Sequence, residues 1–115
     1  MVKGFAFIGY SVKDMATAVA FYRDVLGLRD SQVASDAWTE FDVGDSTFGI
    51  GNGEELGMLP GKSSGAAFEV DDVVGDIARL RELGVEVVGP MPAPNCTFGF
   101  VTDPDGNTFA LHQRK

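Results

Sequence analysis

Reactive side chains are scarce in this sequence, and that scarcity is the first constraint on its chemistry. Among 115 residues there is one histidine, His112, and one cysteine, Cys96. One imidazole cannot build a His-rich metal centre, and one thiol excludes both an internal disulfide and a four-cysteine zinc site. A thiol nucleophile needs a base to ionise it, and His112 is the only imidazole available to Cys96. Cys96 therefore reads as a small apolar filler. His112 could act as a general base, or could be a capping or solvated residue near the end of the last element. Seventeen acidic residues against nine basic ones leave a net charge of -8. Such a surface repels phosphate, which disfavours nucleic acid and anionic membrane as partners. Neutral or cationic partners suit it better, although solubility alone is the commoner reason for acidity.

The elements that must position these groups can be read along the chain. The length fits one domain, 1–115, and the 44% apolar and 23% charged residues fit a folded globular protein. No apolar run is long enough to span a membrane and no signal peptide is readable, so the expected location is cytoplasmic. Phe5 to Val12 predicts a strand, and Asp14 an N-cap. Met15, Ala18, Tyr22, Val25 and Leu26 then recur at helical spacing until Gly27 stops the pattern. Strands follow at Leu28 to Ala34, Trp38 to Val43 and Thr47 to Gly51. Gly51 to Gly65 reads as a linker or a mobile loop.

The pattern then starts again. Gly65 to Val70 predicts a strand, Asp71-Asp72 a cap, and Val73, Ile77, Leu80 and Leu83 a helical stripe ended by Gly84. Val85 to Val88 predicts a strand and Gly89 to Pro94 a rigid loop. Cys96 to Thr102 and Thr108 to His112 pair around the turn Asp103-Pro104-Asp105-Gly106-Asn107. Val12-Lys13-Asp14 and Val70-Asp71-Asp72 lie 58 residues apart, and Leu26-Gly27 and Leu83-Gly84 lie 57 apart. The chain is read as a duplication: module one about 1–52, a loop over 52–64, and module two about 65–115.

Several of these segments resemble the vicinal oxygen chelate superfamily, which includes glyoxalase I, bleomycin resistance proteins and extradiol dioxygenases. The matching stretches are Val12-Lys13-Asp14, Phe21-Tyr22-Arg23-Asp24-Val25-Leu26-Gly27-Leu28, Trp38-Thr39-Glu40-Phe41, Phe68-Glu69-Val70-Asp71-Asp72 and Asp103-Pro104-Asp105-Gly106-Asn107. The resemblance implies an α+β fold of two βαβββ modules, each a curved sheet with its helix on the convex side. It also implies a barrel-like cavity that a homodimer completes. In the enzymes of that group a divalent metal sits inside, held by the first and last strands of each module.

Strand alternation places those ligand positions on Phe7, Gly51, Gly65 and Ala110. None of these side chains offers an oxygen, nitrogen or thiolate donor, so the site is read as metal-free, with no cofactor. The same parity turns Phe5, Phe7, Trp38, Glu40 and Asp42 toward the cavity from module one. Glu69, Phe98, Phe100 and His112 face it from module two. Such a pocket binds flat or cationic organic molecules by burial, stacking and cation–π contact. The bleomycin-resistance branch is similar in being metal-free, dimeric and acidic.

The expected function is thus sequestration of an aromatic or cationic small molecule, with some of the -8 charge at Glu40, Asp42 or Glu69 pointing inward. Three alternatives stay open. One is a metal-dependent lyase, isomerase or dioxygenase using Glu40, Asp42, Glu69 and His112 as substitute donors. Another is a metal-independent enzyme with Glu40 or His112 as acid or base. The last is a partner-binding domain with no pocket, in which Phe5 and Phe7 fill a collapsed interior, Trp38 packs a dimer and Glu40 and Asp42 face solvent.

Overall fold

The computed structural model describes every residue from Met1 to Lys115. Strand β1 (Ile8–Val12) leads to α1 (Met15–Val19), which continues as a π-helical turn over Ala20–Val25. Strands β2 (Arg29–Ala34), β3 (Trp38–Val43) and β4 (Ser46–Asn52) complete one sheet, in the order β1-β4-β3-β2. A short helix α2 (Gly53–Leu56) precedes β5 (Ala66–Glu69), α3 (Val73–Glu82), β6 (Val87–Ala93), β7 (Cys96–Thr102) and β8 (Thr108–Arg114). The second sheet has the order β5-β8-β7-β6. In each sheet the first strand runs parallel to the last and the other pairs are antiparallel. The sequence repeat is therefore a repeat in space. No helix is long and apolar enough to cross a membrane.

Local chemistry explains the helix ends. Asp14 accepts from the Ala16 N–H and the Thr17 hydroxyl, and Asp72 from the Gly75 N–H, so each helix begins on a carboxylate that satisfies an otherwise unpaired donor. Gly27 and Gly84 end the two patterns at φ of 88° and 81°, where a side chain would be strained. Between the caps, Met15, Ala18, Phe21 and Tyr22 are buried from the first helical segment, and Val73, Ile77 and Leu80 from α3. Leu83 is 59% exposed and does not continue that stripe, because the chain has already turned into its C-cap.

The helices and the inward rows of both sheets share one core of 17 buried residues. Its aromatic rings cross from one module to the other. Phe48 meets Phe68 with centroids 5.3 Å apart, and Phe109 meets Tyr22 at 5.9 Å. The opposite face of each sheet carries none of this core.

Four sequence expectations shift. Phe5 lies outside β1 and is 99% exposed, because pairing with β4 begins only at Ile8 opposite Phe48. Ile8, which strand alternation groups with Tyr10 and Val12 on the helix side, is 47% exposed, since it stands at the end of the sheet. Residues 51–65 are not all loop, for Asn52 caps α2 by accepting from Glu54 N–H and Glu55 N–H. The proline-rich stretch from Gly89 belongs to β6. It is an edge strand with a register shift between Val88 and Met91, and there a missing N–H costs no interior hydrogen bond.

Polar ties hold the two modules in register. Asp103, 4% exposed, accepts from the Tyr22 hydroxyl at 2.7 Å, from Asn107 Nδ2 at 2.8 Å, and from the N–H groups of Asp105 and Asn107 at 2.9 Å. Burial and the neighbouring Asp103 charge push the Tyr22 phenol well above its ordinary pKa, so it stays a donor. Replacing Tyr22 by Phe removes one donor from a buried carboxylate. It should cost about 1.5–3 kcal/mol, read as a lower urea midpoint at unchanged m-value. Burial also raises the Asp105 pKa, so its charged form is disfavoured in the folded state at neutral pH. Asp105→Asn keeps an acceptor for the Lys13 N–H and should stabilise the protein near neutral pH. The gain should shrink as pH falls below the raised pKa and vanish below the ordinary carboxylate value, where Asp105 is neutral in both the folded and the unfolded chain; pH-dependent denaturation measures it.

Candidate functional site: a tryptophan cradled on glycines

Trp38 opens β3, and its neighbour across the pair is Gly51, with Ser11 beyond on β1. The next row holds Glu40, Gly49 and Gly9. This alternation leaves one sheet face with a large ring and, beside it, three residues without side chains. A β-carbon on Gly51 would stand 2.9 Å from Trp38 Cε3, and one on Gly9 would stand 3.1 Å from Cη2. One on Gly49 would fall well inside contact with Cζ2 and Cη2. The indole thus lies across Gly9, Gly49 and Gly51; a side chain at Gly49 or Gly51 would collide with it, and one at Gly9 would crowd it.

Two further contacts hold the ring. Its Nε1–H donates to Glu40 Oε2 at 2.8 Å, and the Phe7 ring meets it edge-on with centroids 5.0 Å apart. Glu40 is spaced two residues from Trp38 on the same strand, so both side chains rise from one face. The Glu40 carboxylate is occupied by the indole.

Beside the ring is a cavity of about 470 Å³, lined by Phe7, Gly9, Tyr10, Ser11, Trp38, Gly51, Leu56 and Met58. That volume lies in the range of small-molecule sites. None of the lining side chains is charged. Leu56 and Met58 come from the α2 loop, which is tied down at both ends. Asn52 caps its start, and the Ser11 hydroxyl donates to the Met58 carbonyl at 3.1 Å. Sequence reasoning did not place Leu56 and Met58 in the site. Their signal was three apolar residues, Leu56, Met58 and Leu59, in an otherwise glycine-rich loop.

The residues singled out from the sequence divide between two sheets. Phe7 and Trp38 line the cavity, and Glu40 orients Trp38 without lining it. Asp42 is exposed one row further along β3, and Phe5 is in solvent. Glu69, Phe98, Phe100 and His112 all belong to the second sheet, and none lines this cavity. The expected inward carboxylate is therefore absent from it, because Glu40 is turned onto the indole and Glu69 onto His112.

Strand register also corrects one metal-ligand position. Gly9 pairs with Gly49 in the first sheet and Ala67 with Ala110 in the second. Gly9 and Ala67 are separated by the 58 residues of the repeat, so the counterpart of Ala110 is Gly49 rather than Gly51. The set becomes Phe7, Gly49, Gly65 and Ala110, still without a donor atom. At Gly49 the space a ligand side chain would need is taken by the indole. No three His, Cys, Asp or Glu side chains gather anywhere in the molecule to hold a metal ion. The divalent metal found in enzymes of this fold does not fit these residues.

Two four-stranded sheets of identical strand order, packed through a common core and each leaving one face free, define a paired-module α+β fold. The chain belongs to the Glyoxalase/Bleomycin resistance protein/Dioxygenase superfamily, whose family model matches residues 4–111. Among solved structures it is similar to the antibiotic-binding protein TnmS3 from Streptomyces sp. CB03234. Identity is 28% over 99% of this chain and 98% of that one, with a TM-score of 0.83. A glyoxalase/bleomycin resistance protein from the same organism is 30% identical over 96% and 100% of the two chains, with a TM-score of 0.80. Lactoylglutathione lyase from Agrobacterium tumefaciens, 21% identical over 97% and 94%, shares the fold with a TM-score of 0.82. No curated protein matches the chain.

Because Trp38 is the only tryptophan, its fluorescence reports the cradle directly. Glu40→Ala should lower its anisotropy and red-shift its emission, whereas Glu40→Gln, which keeps an acceptor for Nε1–H, should stay close to native. Gly49→Ala should displace the ring by steric conflict and change the near-ultraviolet circular dichroism. Unchanged spectra in Glu40→Ala would show that the hydrogen bond does not hold the ring.

Proposed function

We propose that this protein is a metal-free small-molecule binder that holds a planar aromatic compound against Trp38, and that a second copy of the chain completes the site. The observation that carries the reading is the glycine-cradled indole. Three positions give up their side chains so that one ring can lie flat beside an uncharged cavity. Such a surface offers stacking and apolar burial and no charge partner, so within the aromatic or cationic class it favours an uncharged aromatic. The antibiotic-binding relative at 28% identity supports sequestration over turnover. A homodimer is supported by the exposed apolar side chains beside the two free faces, with Phe7 at 50%, Phe100 at 45% and Val88 at 56%.

Acridone, an uncharged planar tricycle, is the probe. At about a hundredfold excess over its Kd it should raise the melting temperature by something on the order of 10 °C and quench Trp38. The cation N-methylacridinium should bind no more tightly. Trp38→Ala should abolish the shift while leaving the protein folded by far-ultraviolet circular dichroism. Elemental analysis of protein purified without chelators should find well under one equivalent of Zn, Ni, Mn or Fe. A stoichiometric metal, or no response to acridone, would overturn the reading.

A further inference from the structure

The edge of the first sheet beside Trp38 carries a hydrogen-bonding pair that the fold leaves unused. β1 is the outer strand of its sheet and has only β4 beside it. Along such a strand the backbone groups of successive residues point alternately toward the neighbour and toward the open edge.

Ser11 fixes the phase. Its N–H donates to Ser63 Oγ at 3.0 Å, and its carbonyl accepts from Asn107 Nδ2 at 2.8 Å and from the Gly61 N–H at 3.4 Å. Ser63, Asn107 and Gly61 all lie outside the first sheet, so the backbone of Ser11 points to the open edge. Tyr10 then points to β4, and Gly9 points outward again. β4 gives the same phase. The Asn52 N–H donates to the Ala37 carbonyl on the β3 side, which turns the alternate residues Gly49 and Gly51 toward β1.

Ser11 has both outward groups paired. Gly9 does not, for no turn, loop or side chain hydrogen-bonds to its N–H or its carbonyl. It is half-buried and forms part of the cavity wall. Folded proteins pair nearly all covered backbone groups, so these two must be met by water or by whatever enters the cavity. The polar groups of its neighbours are already committed. The Ser11 hydroxyl donates to the Met58 carbonyl, and Trp38 Nε1–H to Glu40. With no side chain of its own, Gly9 also leaves this edge unscreened.

In an extended residue the N–H and the carbonyl lie side by side and point the same way. That arrangement lets two opposed residues of an antiparallel ladder exchange both N–H···O bonds. A small molecule matches it by carrying an N–H and a carbonyl on adjacent ring atoms, as a lactam or a cyclic imide does. We propose that the Trp38 cavity selects planar aromatics with such an edge, and that Gly9 is its specificity-determining residue. The Gly9 N–H donates to the ligand carbonyl, and the Gly9 carbonyl accepts from the ligand N–H. This selectivity presupposes that the Trp38 cavity is a ligand site, and it names the chemical class of the ligand.

Phenanthridinone and acridone are isomers, each a planar tricycle with one N–H and one carbonyl. Phenanthridinone holds them on adjacent ring atoms and acridone holds them across the central ring, so only the first can engage both groups of Gly9. Titration calorimetry should show phenanthridinone binding roughly tenfold more tightly than acridone, the worth of about one further net hydrogen bond. N-methylphenanthridinone, which lacks the donor, should bind no more tightly than acridone. Trp38→Ala should weaken both isomers. In nuclear magnetic resonance of the labelled protein, the Gly9 amide should exchange rapidly with solvent when the cavity is free. It should move downfield and become protected with phenanthridinone, and change less with acridone. Equal affinities for the two isomers, an N-methyl derivative as tight as its parent, or a Gly9 amide already protected in the free protein would each overturn the proposal while leaving the cavity a ligand site. Binding of neither isomer would overturn the cavity reading, and the proposal with it.

Discussion

The rest of the structure depends on the buried carboxylate of Asp103. A carboxylate at 4% exposure is costly unless every lone pair is used, and here four donors from three residues surround it. Its partners are spread through the fold. Tyr22 brings in the first helical segment, while Asn107 donates onward to the Ser11 carbonyl of β1 and accepts from the Ser63 N–H. One charge thus fixes the helix of the first module, the first strand of the first sheet and the last turn of the second. The Tyr10 hydroxyl adds a parallel tie, donating to the Thr108 carbonyl at 2.6 Å and accepting from the Ala66 N–H at 3.0 Å. Aromatic packing supplies the bulk of the core, but rings can slide past one another. Directional bonds to one carboxylate cannot, and they set the register in which the two modules meet.

That register decides what the outer faces hold. With Tyr10, Phe48 and Ile50 committed to the core, alternation obliges Gly9, Gly49 and Gly51 to form a bare surface on the other side. Trp38 and Glu40 rise over it from the neighbouring strand. The same rule in the second sheet commits Phe68, Phe109 and Leu111 inward and leaves Glu69, Ala110 and His112 outside. The two modules share a plan and differ in their free faces. One has a fixed ring over glycines, the other a carboxylate–imidazole pair over alanines.

The bare row at Gly9, Gly49 and Gly51 could have left a hole, but the Trp38 indole fills the volume at Gly49, and the Glu40 carboxylate accepts from its Nε1–H. An acidic residue facing a cavity is often read as a charge offered to a ligand. Here its charge is spent on an indole N–H.

Much of this was legible in the chain itself. Asp14 and Asp72 announce helix starts, Gly27 and Gly84 the ends, and Asp103 to Asn107 a tight turn, because capping and turn geometry are local and depend on few residues. The 58-residue spacing disclosed the duplication, and period-2 alternation assigned most strand faces. Register was not legible. Whether Gly49 or Gly51 answers to Ala110 depends on pairing across distant strands, which no local preference encodes. Nor could alternation show that Glu40 bonds to Trp38, that Glu69 bonds to His112, or that Leu56 and Met58 fold back over the glycines. Sequence by itself determined the two modules and their caps, since residue identity suffices for these. Only the tertiary structure decided which side chains meet, because contact is set by where two separately encoded sheets come to rest against a common core.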